Sequence, residues 1–313
     1  MTPAAGADQP QVVIVTGAGS GLGRTIAQKL AAAGHVVYVG MRGIESRSAD
    51  RASAAHQFAN RHEVSLLPLE LDVLSDTGCR AAVDQVLAEQ GRLDVVVNNA
   101  GMLMSGVAEA FSAEQFLTIL DTNAVSWLRM NGAALPVMRR QGAGTLAYVS
   151  STTAHIVEPF MATYIASKAA GEAFAESMGF EVTRFGIDTV ILVPGAFTQG
   201  TEHFANSNPP GEPAVAAQYG DVTAIVSQTP TRLEAIDIAN QGHGADIDSV
   251  GDALVPVLRQ PRGDRPRRVI IDAQQKGVED IEAVRSARQR AFFAALGIDG
   301  LLELPARTRP HLN

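Results

Sequence analysis

The stretch QVVIVTGAGSGLGRTIAQKLAAAG, residues 11–34, decides the fold. Its uninterrupted apolar run ends at glycines, as expected for a strand that is buried on both faces of a parallel sheet. The residues that follow the glycines have the spacing of a helix, and Gly34 is its C-terminal stop. A strand, a glycine turn and a helix in this order predict the first unit of an α/β fold.

The same alternation continues along the chain. Further strands are predicted over residues 35–41, 64–73, 93–101, 144–151 and 187–195. Helices are predicted between them over residues 80–91, 113–142 and 161–186. This order predicts a Rossmann-type, doubly wound parallel sheet with right-handed crossovers.

The pattern changes after Pro194. Residues 196–247 contain Pro, Gly, Gln and Ala with two weak helical segments, and we interpret them as a substrate loop or lid. Ordered structure then resumes with a helix, an edge strand and a helix over residues 248–260, 267–272 and 279–297. We therefore predict one Rossmann-fold domain over 1–313, with a cofactor-binding and catalytic core over 11–195 and a C-terminal completion over 248–313.

Length and composition exclude several classes of protein. The 313 residues are 46% hydrophobic and 19% charged, which suits one large core. The net charge of −8 comes without long runs of like charge, so no nucleic acid partner is expected. The one dense basic stretch, residues 259–268, is interrupted by Asp264 and is expected to be a surface turn.

The sequence offers little for disulfides, metals or membranes. The single cysteine, Cys79, excludes an internal disulfide, and the scattered histidines predict no metal site. No apolar run reaches the length of a membrane span, and the N-terminal residues lack the basic and apolar regions of a signal peptide. We therefore expect a cytoplasmic protein without membrane contact.

The segment TGAGSGLG lies where a nucleotide pyrophosphate meets the N-terminus of a helix. Gly17, Gly21 and Gly23 make a GxxxGxG spacing, with Ser20 and Leu22 completing the loop. A side chain at the glycine positions would force a disfavoured φ or block the approach of the backbone to phosphate. The more common GxGxxG spacing is not met. The motif predicts a dinucleotide site, with a tight structural turn as the alternative.

The end of the second strand bears on the choice of cofactor. An acidic residue there would bind both ribose hydroxyls of NAD, whereas a basic residue would pair with the additional phosphate of NADP. The sequence has no acid at Gly40 or Met41 and continues with Arg42. NADP is therefore the predicted cofactor, while Glu45 and the absence of a basic residue at Ser20 leave NAD as an alternative.

Tyr164 and Lys168 lie four residues apart in the predicted helix TYIASKAAGEAF. Moving a hydride between a carbonyl carbon and nicotinamide requires a proton to move at the oxygen, and a tyrosine hydroxyl is a candidate acid or base. Its ordinary pKa of about 10 is too high for a base near neutral pH. An ammonium group one helical turn away and the positive nicotinamide of the oxidised cofactor both stabilise the phenolate, and together they are expected to lower that pKa by about 2 to 3 units. An amphipathic surface pair is the alternative.

Four motifs together resemble the short-chain dehydrogenase/reductase family. They are TGAGSGLG, NNAG at Asn98 to Gly101, YVSS followed by YIASK, and PG after a strand, and their order and spacing match the family over residues 11–198. The resemblance implies a catalytic tetrad, whose matches are Asn123, Ser151, Tyr164 and Lys168. Ser151 is preferred to Ser150 because it precedes Tyr164 by the family's usual interval of 13 residues.

The resemblance also implies roles for these residues. Ser151 would hold the substrate oxygen in line with Tyr164, and Asn123 would order a water that relays protons from Lys168. Asp72 would meet the adenine. The remaining expected cofactor contacts are Val73, Asn99, Ala100, Gly101, Pro194, Gly195 and Thr198. One departure stands out, since the family's threonine four residues after the PG glycine is replaced by Gln199, and Thr198 is one residue early.

Substrate selection in the family rests on the lid and on the segment between the serine and the tyrosine. These regions supply the predicted substrate residues His155, Phe160, Phe197 and Phe204, which indicate a largely apolar pocket. His155 is expected to be a wall residue rather than a second proton carrier. The three phenylalanines have ordinary core packing as their alternative.

The resulting hypothesis is an oxidoreductase that interconverts a secondary alcohol and a ketone or aldehyde, with a hydrophobic small molecule as substrate. A sugar or polyol dehydrogenase of the same family is the nearest alternative. A protein that binds the dinucleotide without turnover, as a sensor or scaffold, is another, but the tetrad argues against it. A methyltransferase would not explain YxxxK. The resemblance also implies a homodimer or homotetramer.

Overall fold

A parallel sheet forms the centre of the computed structural model, which describes residues 9–303 except for the side chains at positions 222 and 223. The expected leader over residues 1–8 and the last part of the expected C-terminal completion, residues 304–313, lie outside this range. The seven strands are β1 (Val12–Thr16), β2 (Val36–Met41), β3 (Leu66–Glu70), β4 (Val95–Asn98), β5 (Gly144–Val149), β6 (Ile187–Pro194) and β7 (Arg268–Ile271). They pair in parallel in the order β3-β2-β1-β4-β5-β6-β7.

Helices cover both faces of the sheet. They are α1 (Gly21–Ala32), α2 (Ala49–His62), α3 (Asp76–Gln90), α4 (Ala113–Leu120), α5 (Ser126–Gln141), α6 (Ala162–Val182), α7 (Pro213–Ala217), α8 (Val222–Gln241), α9 (Ser249–Arg259) and α10 (Val278–Leu296). The architecture is therefore an α/β Rossmann-like fold, as predicted.

Strand β1 is buried on both sides because two apolar clusters lie on opposite faces of the sheet. Val12 and Ile14 point into the cluster that α3, α5 and α6 complete. Val13 and Val15 point into the other cluster, which α1 and α9 complete. This arrangement explains why the strand shows a continuous apolar run rather than an alternating one.

The order of the strands determines where a ligand can bind. The chain proceeds outward from β1 through β2 to β3, and then returns to pair β4 with the other side of β1. The helices that follow β1 and β4 therefore lie on opposite faces of the sheet and leave a crevice at the carboxyl ends of the strands. The glycine loop and the NNAG segment are the loops after β1 and β4.

The predicted strands are all present, and the differences concern helices. No helix was predicted between β2 and β3, where α2 lies. Only Ala52 and Ala55 of α2 are buried, so the sequence shows little apolar periodicity. The helix predicted over residues 113–142 is divided by a π-helical turn at Asp121–Val125. The lid region contains α7 and α8, and α8 is 20 residues long.

The basic stretch over residues 259–268 contains the predicted surface turn, since most of its residues are exposed, but two of its arginine side chains are buried. The side chains of Arg265 and Arg268 are only 3% exposed. Arg265 lies 3.5 Å from Asp188, and Arg268 lies 2.9 Å from Glu172. Both acids come from distant parts of the chain, which is why a local reading of the sequence missed the pairing.

No helix within residues 9–303 combines the length and the hydrophobicity that a membrane crossing requires.

Candidate active site

A cleft of about 720 Å³ opens at the carboxyl ends of the strands. The loops after β1, β2, β4, β5 and β6 contribute to its walls. Of the predicted tetrad, Ser151, Tyr164 and Lys168 line the cleft, and Asn123 lies behind its wall. The predicted cofactor residues that line it are Gly17, Ser20, Gly21, Leu22, Gly23, Arg42, Val73, Asn99, Ala100, Gly101, Tyr164, Lys168, Pro194 and Gly195.

The glycine loop has no room for side chains. Gly17 has a φ of +62°, and a Cβ atom on it would lie 2.7 Å from the Cα atom of Ala100. A Cβ atom on Gly23 would lie 2.6 Å from the carbonyl oxygen of Gly17. The loop after β1 therefore packs directly against the loop after β4 and presents its backbone to the cleft.

The N-terminus of α1 is suited to an anion. The side chain of Ser20 does not cap the helix, and the first turn carries no acidic residue. The amide groups of this turn therefore remain available to a phosphate.

Three guanidinium groups lie along the same part of the cleft. They belong to Arg42 after β2 and to Arg47 and Arg51, which precede and begin α2. None of the three makes an ion pair with an acid of the described range, so their charges are not neutralised by the protein. The carboxylate of Glu70 accepts hydrogen bonds from the amides of Gly43 and Ile44 at 2.8 and 2.9 Å and holds this turn in place. The glycine cradle and the unpaired cations fit a dinucleotide.

The NNAG segment ties the two central strands together. The hydroxyl of Thr16 at the end of β1 accepts hydrogen bonds from the amides of Asn99 and Ala100, both at 2.9 Å. The side chain of Asn99 donates to the carbonyl of Thr16, also at 2.9 Å. These bonds fix the separation of the two loops that bound the cleft.

Asn123 lies in the π-helical turn and its side-chain amide is fully used by the protein. Its Oδ1 accepts from the amide of Met102 at 2.8 Å, and its Nδ2 donates to the carbonyl of Met102 and to Ser167, both at 2.9 Å. A π turn inside a helix often marks a functional position. Here it lets Asn123 join the loop after β4 to α6. Its expected role in ordering a water stays a prediction.

Tyr164 and Lys168 are both buried, at 7% and 5% exposure. The Nζ atom of Lys168 lies 5.8 Å from the centre of the Tyr164 ring and donates to the carbonyl of Val149 at 2.8 Å. Val149 is the last residue of β5, so the lysine is anchored to the central sheet. The spacing of four residues places both side chains on one side of α6, as the sequence predicted.

Burial shifts the pKa values of this pair in opposite directions. It raises the pKa of the Tyr164 hydroxyl to about 12, although the Ser151 hydroxyl acts in the opposite direction. Burial lowers the pKa of Lys168 to about 8, and the Glu172 carboxylate opposes this change. Loss of hydration is therefore the largest influence on the tyrosine pKa in the protein without nucleotide. The decrease expected with a positive nicotinamide bound stays a prediction.

Ser151 is oriented by its own loop. Its Oγ atom accepts hydrogen bonds from the amide and the hydroxyl of Thr153, at 3.3 and 3.0 Å. Its own hydrogen remains available to a ligand in the cleft. Ser150 points the other way and donates to Glu172 at 2.5 Å. The preference for Ser151 over Ser150 agrees with this geometry.

Glu172 lies beneath the catalytic loop with a side chain that is 4% exposed. It accepts from Ser150, and its Oε1 lies 3.0 Å from Nε2 of His155 and 2.9 Å from Nε of Arg268. Burial acts to raise the pKa of Glu172, but its His155, Ser150 and Arg268 partners outweigh burial and hold the pKa below the ordinary range. Glu172 therefore contacts both ends of the segment 150–155, which carries Ser151.

Arg268 extends this network to the C-terminal part of the chain. It pairs with Glu176 of α6 at 2.6 Å and with Glu282 of α10 at 3.2 Å. Burial acts to lower the pKa of Arg268, but these carboxylates raise it above its ordinary range. Helix α6, strand β7 and helix α10 are therefore joined by buried charges directly behind the catalytic loop.

The predicted substrate residues are divided between two environments. Phe197 and Phe204 line the cleft. His155 is placed instead behind it against Glu172, and Phe160 has a φ of +65° and accepts a hydrogen bond from the amide of Gly106 at 2.7 Å through its carbonyl. The segment 152–161 turns away from the cleft at these two positions, which the sequence alone could not show.

Two predicted cofactor residues also lie outside the cleft wall. Asp72 uses its carboxylate to accept a hydrogen bond from the amide of Leu74 at 3.0 Å. The hydroxyl of Thr198 is buried and has no partner within residues 9–303. Thr201 lines the cleft instead, and its Oγ1 would lie 3.1 Å from a Cβ atom on Gly21.

Several cleft residues were missed in the sequence. Arg47 and Arg51 are spaced four apart, and recognising α2 would have revealed them. The others come from separate elements that only tertiary packing brings together, namely Met102, Leu103, Glu158, Met161, Thr201, His203, Leu233 and Lys276. Within the described chain, no group of three His, Cys, Asp or Glu side chains is arranged to hold a metal.

Comparison with known proteins agrees with this geometry. The profile of the short chain dehydrogenases matches residues 11–210. The chain belongs to this family. It is an oxidoreductase with a nucleotide-binding Rossmann fold, as the sequence motifs predicted.

Individual relatives cover only part of the chain. A 3-ketodihydrosphingosine reductase of Bacteroides thetaiotaomicron is 34% identical over 192 residues, which are 61% of this chain and 66% of that protein. Human 17-beta-hydroxysteroid dehydrogenase type 1 is 33% identical over 187 residues, which are 59% of this chain and 56% of that protein. The chain thus spans less than two thirds of the length of both relatives.

A solved structure shows the same fold over most of the chain. The short-chain dehydrogenase from Streptomyces avermitilis has a TM-score of 0.70 at 25% identity, and the match covers 92% of this chain and 97% of that one.

Replacing Lys168 with methionine tests the burial of its ammonium group. The unfolded lysine keeps its proton up to about pH 10.5, whereas the folded one releases it near pH 8. The cost of burying the cation is therefore complete below pH 8 and disappears as the pH rises from 8 to 10.5. We expect the stability of Lys168→Met relative to the wild type to be highest at pH 7 and to fall by roughly 3 kcal/mol by pH 10.5.

Urea denaturation across this pH range measures the difference. Lys29→Met is the control, because Lys29 is partly exposed and its acidic partners Asp252 and Asp248 raise its pKa. A stability difference between Lys168→Met and wild type that does not change with pH would contradict the lowered pKa of Lys168.

The two glutamates of α6 allow a matched test of the network. Glu172→Gln replaces an acceptor of Ser150 and a contact of His155, so we expect kcat to fall about tenfold or more because Ser151 is displaced. Glu176→Gln disturbs the same Arg268 but touches neither Ser150 nor His155. It should leave kcat within about threefold of wild type. Equal losses of kcat in the two variants would show that the network has no specific effect on Ser151.

Proposed function

We propose that the protein interconverts a ketone and a secondary alcohol, with Tyr164 as the general acid and base. The observation that carries this proposal is the buried Tyr164 hydroxyl beside Ser151 and Lys168, in a cleft whose other half is a glycine cradle. When a nicotinamide dinucleotide is bound there, it supplies or accepts the hydride. The protein's own side chains position the substrate oxygen and move the proton.

Each side chain has a defined task in this proposal. The free hydroxyl hydrogen of Ser151 binds the carbonyl oxygen and stabilises negative charge as it develops. Tyr164 then gives its proton to that oxygen. Lys168 stabilises the phenolate that results, and its anchor on Val149 holds it in place. The apolar surroundings exclude water from the proton transfer.

The protonation state of Tyr164 favours ketone reduction near neutral pH. A tyrosine with a pKa of about 12 is protonated at neutral pH and is ready to donate. The oxidation of an alcohol requires the phenolate instead. We therefore propose the reductive direction for the protein when the pH is neutral.

We propose a substrate with a substantial hydrocarbon portion. The part of the cleft beside Tyr164 is lined by Met102, Leu103, Met161 and Phe204. Two relatives are named for a ketodihydrosphingosine and a hydroxysteroid, both of which are largely apolar molecules. The apolar lining gives a polyol little to bind, and a sensor without turnover would not need the proton-transfer pair.

We propose NADP as the preferred cofactor. Arg42, Arg47 and Arg51 bring three unpaired positive charges to one stretch of the cleft. A phosphate group on the adenosine ribose is the ligand chemistry that such a cluster attracts. Glu45, the acid that would favour NAD, does not line the cleft.

We also propose that two or four copies of the chain associate. Apolar side chains on α4 and α5 are exposed, with Leu117 at 63% and Leu128 at 53%. Burying such a surface between copies would be favourable.

The test of the reaction is NADPH oxidation with a panel of alkyl ketones. We expect the wild type to turn over at least one of them and Tyr164→Phe to lose about 100-fold or more in kcat/KM, since the proton donor is gone. The affinity for NADPH, measured by fluorescence, should stay within about threefold. Tyr219→Phe is the control because Tyr219 is exposed. Binding of NADPH without turnover of any carbonyl would favour the silent sensor.

Arg42→Ala tests the cofactor assignment. We expect the wild type to have a higher kcat/KM with NADPH than with NADH. In the variant the ratio of the two values should be about tenfold smaller, because a charge-assisted contact to phosphate is removed. Arg61→Ala, an exposed change on α2, should keep the wild-type ratio. A wild type that favours NADH more than tenfold, with no change in Arg42→Ala, would refute the preference for NADP.

A further inference from the structure

A strap of residues 196–211 crosses the cleft and is held at both ends. At its start, Gln274 accepts a hydrogen bond from the amide of Ala196 at 2.7 Å and donates to its carbonyl at 3.1 Å. Near its end, the amide of Asn208 donates to the carbonyl of Leu103 at 3.0 Å, and the amide of Gly211 donates to Gln115 at 2.8 Å. The residues between these anchors are therefore held over the catalytic pair.

His203 is the residue of this strap that faces Tyr164. The centres of the two rings are 5.8 Å apart with an angle of 65° between their planes, and the His203 ring also lies edge-on to Phe204. The backbone amide of His203 donates to the hydroxyl of Thr201 at 3.1 Å, which fixes the turn. The imidazole lines the cleft.

The ring nitrogens of His203 have no hydrogen-bond partner among residues 9–303. Burial, with a smaller contribution from the charge of Lys168, lowers the pKa of His203 to about 4. The imidazole is therefore neutral near pH 7, with one nitrogen that donates and one that accepts. The side chain of His203 is partly exposed and lines the cleft, so both ring nitrogens can hydrogen-bond to a ligand that enters it.

The charges around the ring limit what this ligand group can be. Lys168 is close enough to affect the pKa of His203, so it disfavours a cation on the substrate. Glu202 also lines the cleft and disfavours an anion, whereas Glu158 is paired with Lys276 at 2.6 Å, so that these two charges offset each other. A neutral group that both donates and accepts, such as a hydroxyl, suits the site best.

We propose that His203 is a specificity residue that hydrogen-bonds to a neutral hydroxyl on the carbon next to the reacting carbonyl. The substrate class is then an apolar α-hydroxy ketone, with the corresponding vicinal diol as product. This inference rests on the proposed function, which requires a carbonyl, and specifies a hydroxyl as a second polar group of the substrate.

The test compares 1-hydroxydecan-2-one with decan-2-one, which differ only in that hydroxyl. We expect wild-type kcat/KM to favour the hydroxy ketone by about tenfold or more, because a hydrogen-bonding site discriminates against a ligand that lacks the group. His203→Phe keeps the ring and removes both nitrogens, so the preference should fall to within about threefold of unity. His203→Gln should recover part of it.

The control is His56→Phe, a change on the exposed face of α2, which should keep the wild-type preference. A preference that persists in His203→Phe would mean that the ring only packs, and it would overturn the proposal. A wild type that reduces both ketones equally well would also overturn it while leaving the proposed reaction intact.

A second measurement covers the case in which neither ketone is turned over. Calorimetry then compares the binding of decane-1,2-diol and decan-2-ol to the NADP-loaded protein and to His203→Phe. Tighter binding of the diol that depends on His203 supports the inference even if the proposed reaction is wrong. Equal affinities in the wild type, or a diol preference that His203→Phe retains, would reject the inference.

Discussion

The burial of a phenol and an ammonium group side by side is the constraint on which the site depends. Loss of hydration moves their pKa values in opposite directions, to about 12 for Tyr164 and about 8 for Lys168. Relative to water, burial thus favours the neutral form of each side chain. The protein holds this pair in place by attaching Lys168 to the end of β5 and by joining the π-helical turn to α6 through Asn123. The apolar clusters on the two faces of the sheet stabilise the fold and offset the free-energy cost of burying this pair.

The C-terminal part of the chain contributes to the same site through buried charges. Glu172 contacts Ser150 and His155 on one side and Arg268 on the other, and Arg268 continues to α10 through Glu282. Removing one member of a buried ion network leaves an uncompensated charge, so the network is sensitive to single changes. Strand β7 and helix α10 are thus coupled to the position of Ser151, although neither carries a residue of the tetrad.

The sequence predicted the features that depend on local pattern. The strands, the glycine loop and the pairing of Tyr164 with Lys168 follow from hydrophobic runs, glycine requirements and helical spacing, whereas Ser151 was assigned from the resemblance to the family. Features that depend on packing were missed or misjudged. Helix α2 buries only two alanines, the arginines near residue 265 find acids far away in the chain, and His203 reaches Tyr164 only because the strap is anchored at both ends. The spacing of Tyr164 and Lys168 reveals the neighbouring cation but not the loss of hydration, which raises the tyrosine pKa in the protein without nucleotide.

The most direct measurement is a pH titration of Tyr164 by NMR with tyrosine carrying ¹³C at Cζ. The chain has four tyrosines, so the signals can be assigned with single substitutions. The account predicts a pKa near 12 for Tyr164 in the free protein. It predicts a decrease of about 2 units or more when the positive nicotinamide of NADP⁺ is bound, and a smaller decrease in Lys168→Met. A Tyr164 pKa that stays the same with and without NADP⁺, or that does not depend on Lys168, would contradict the account.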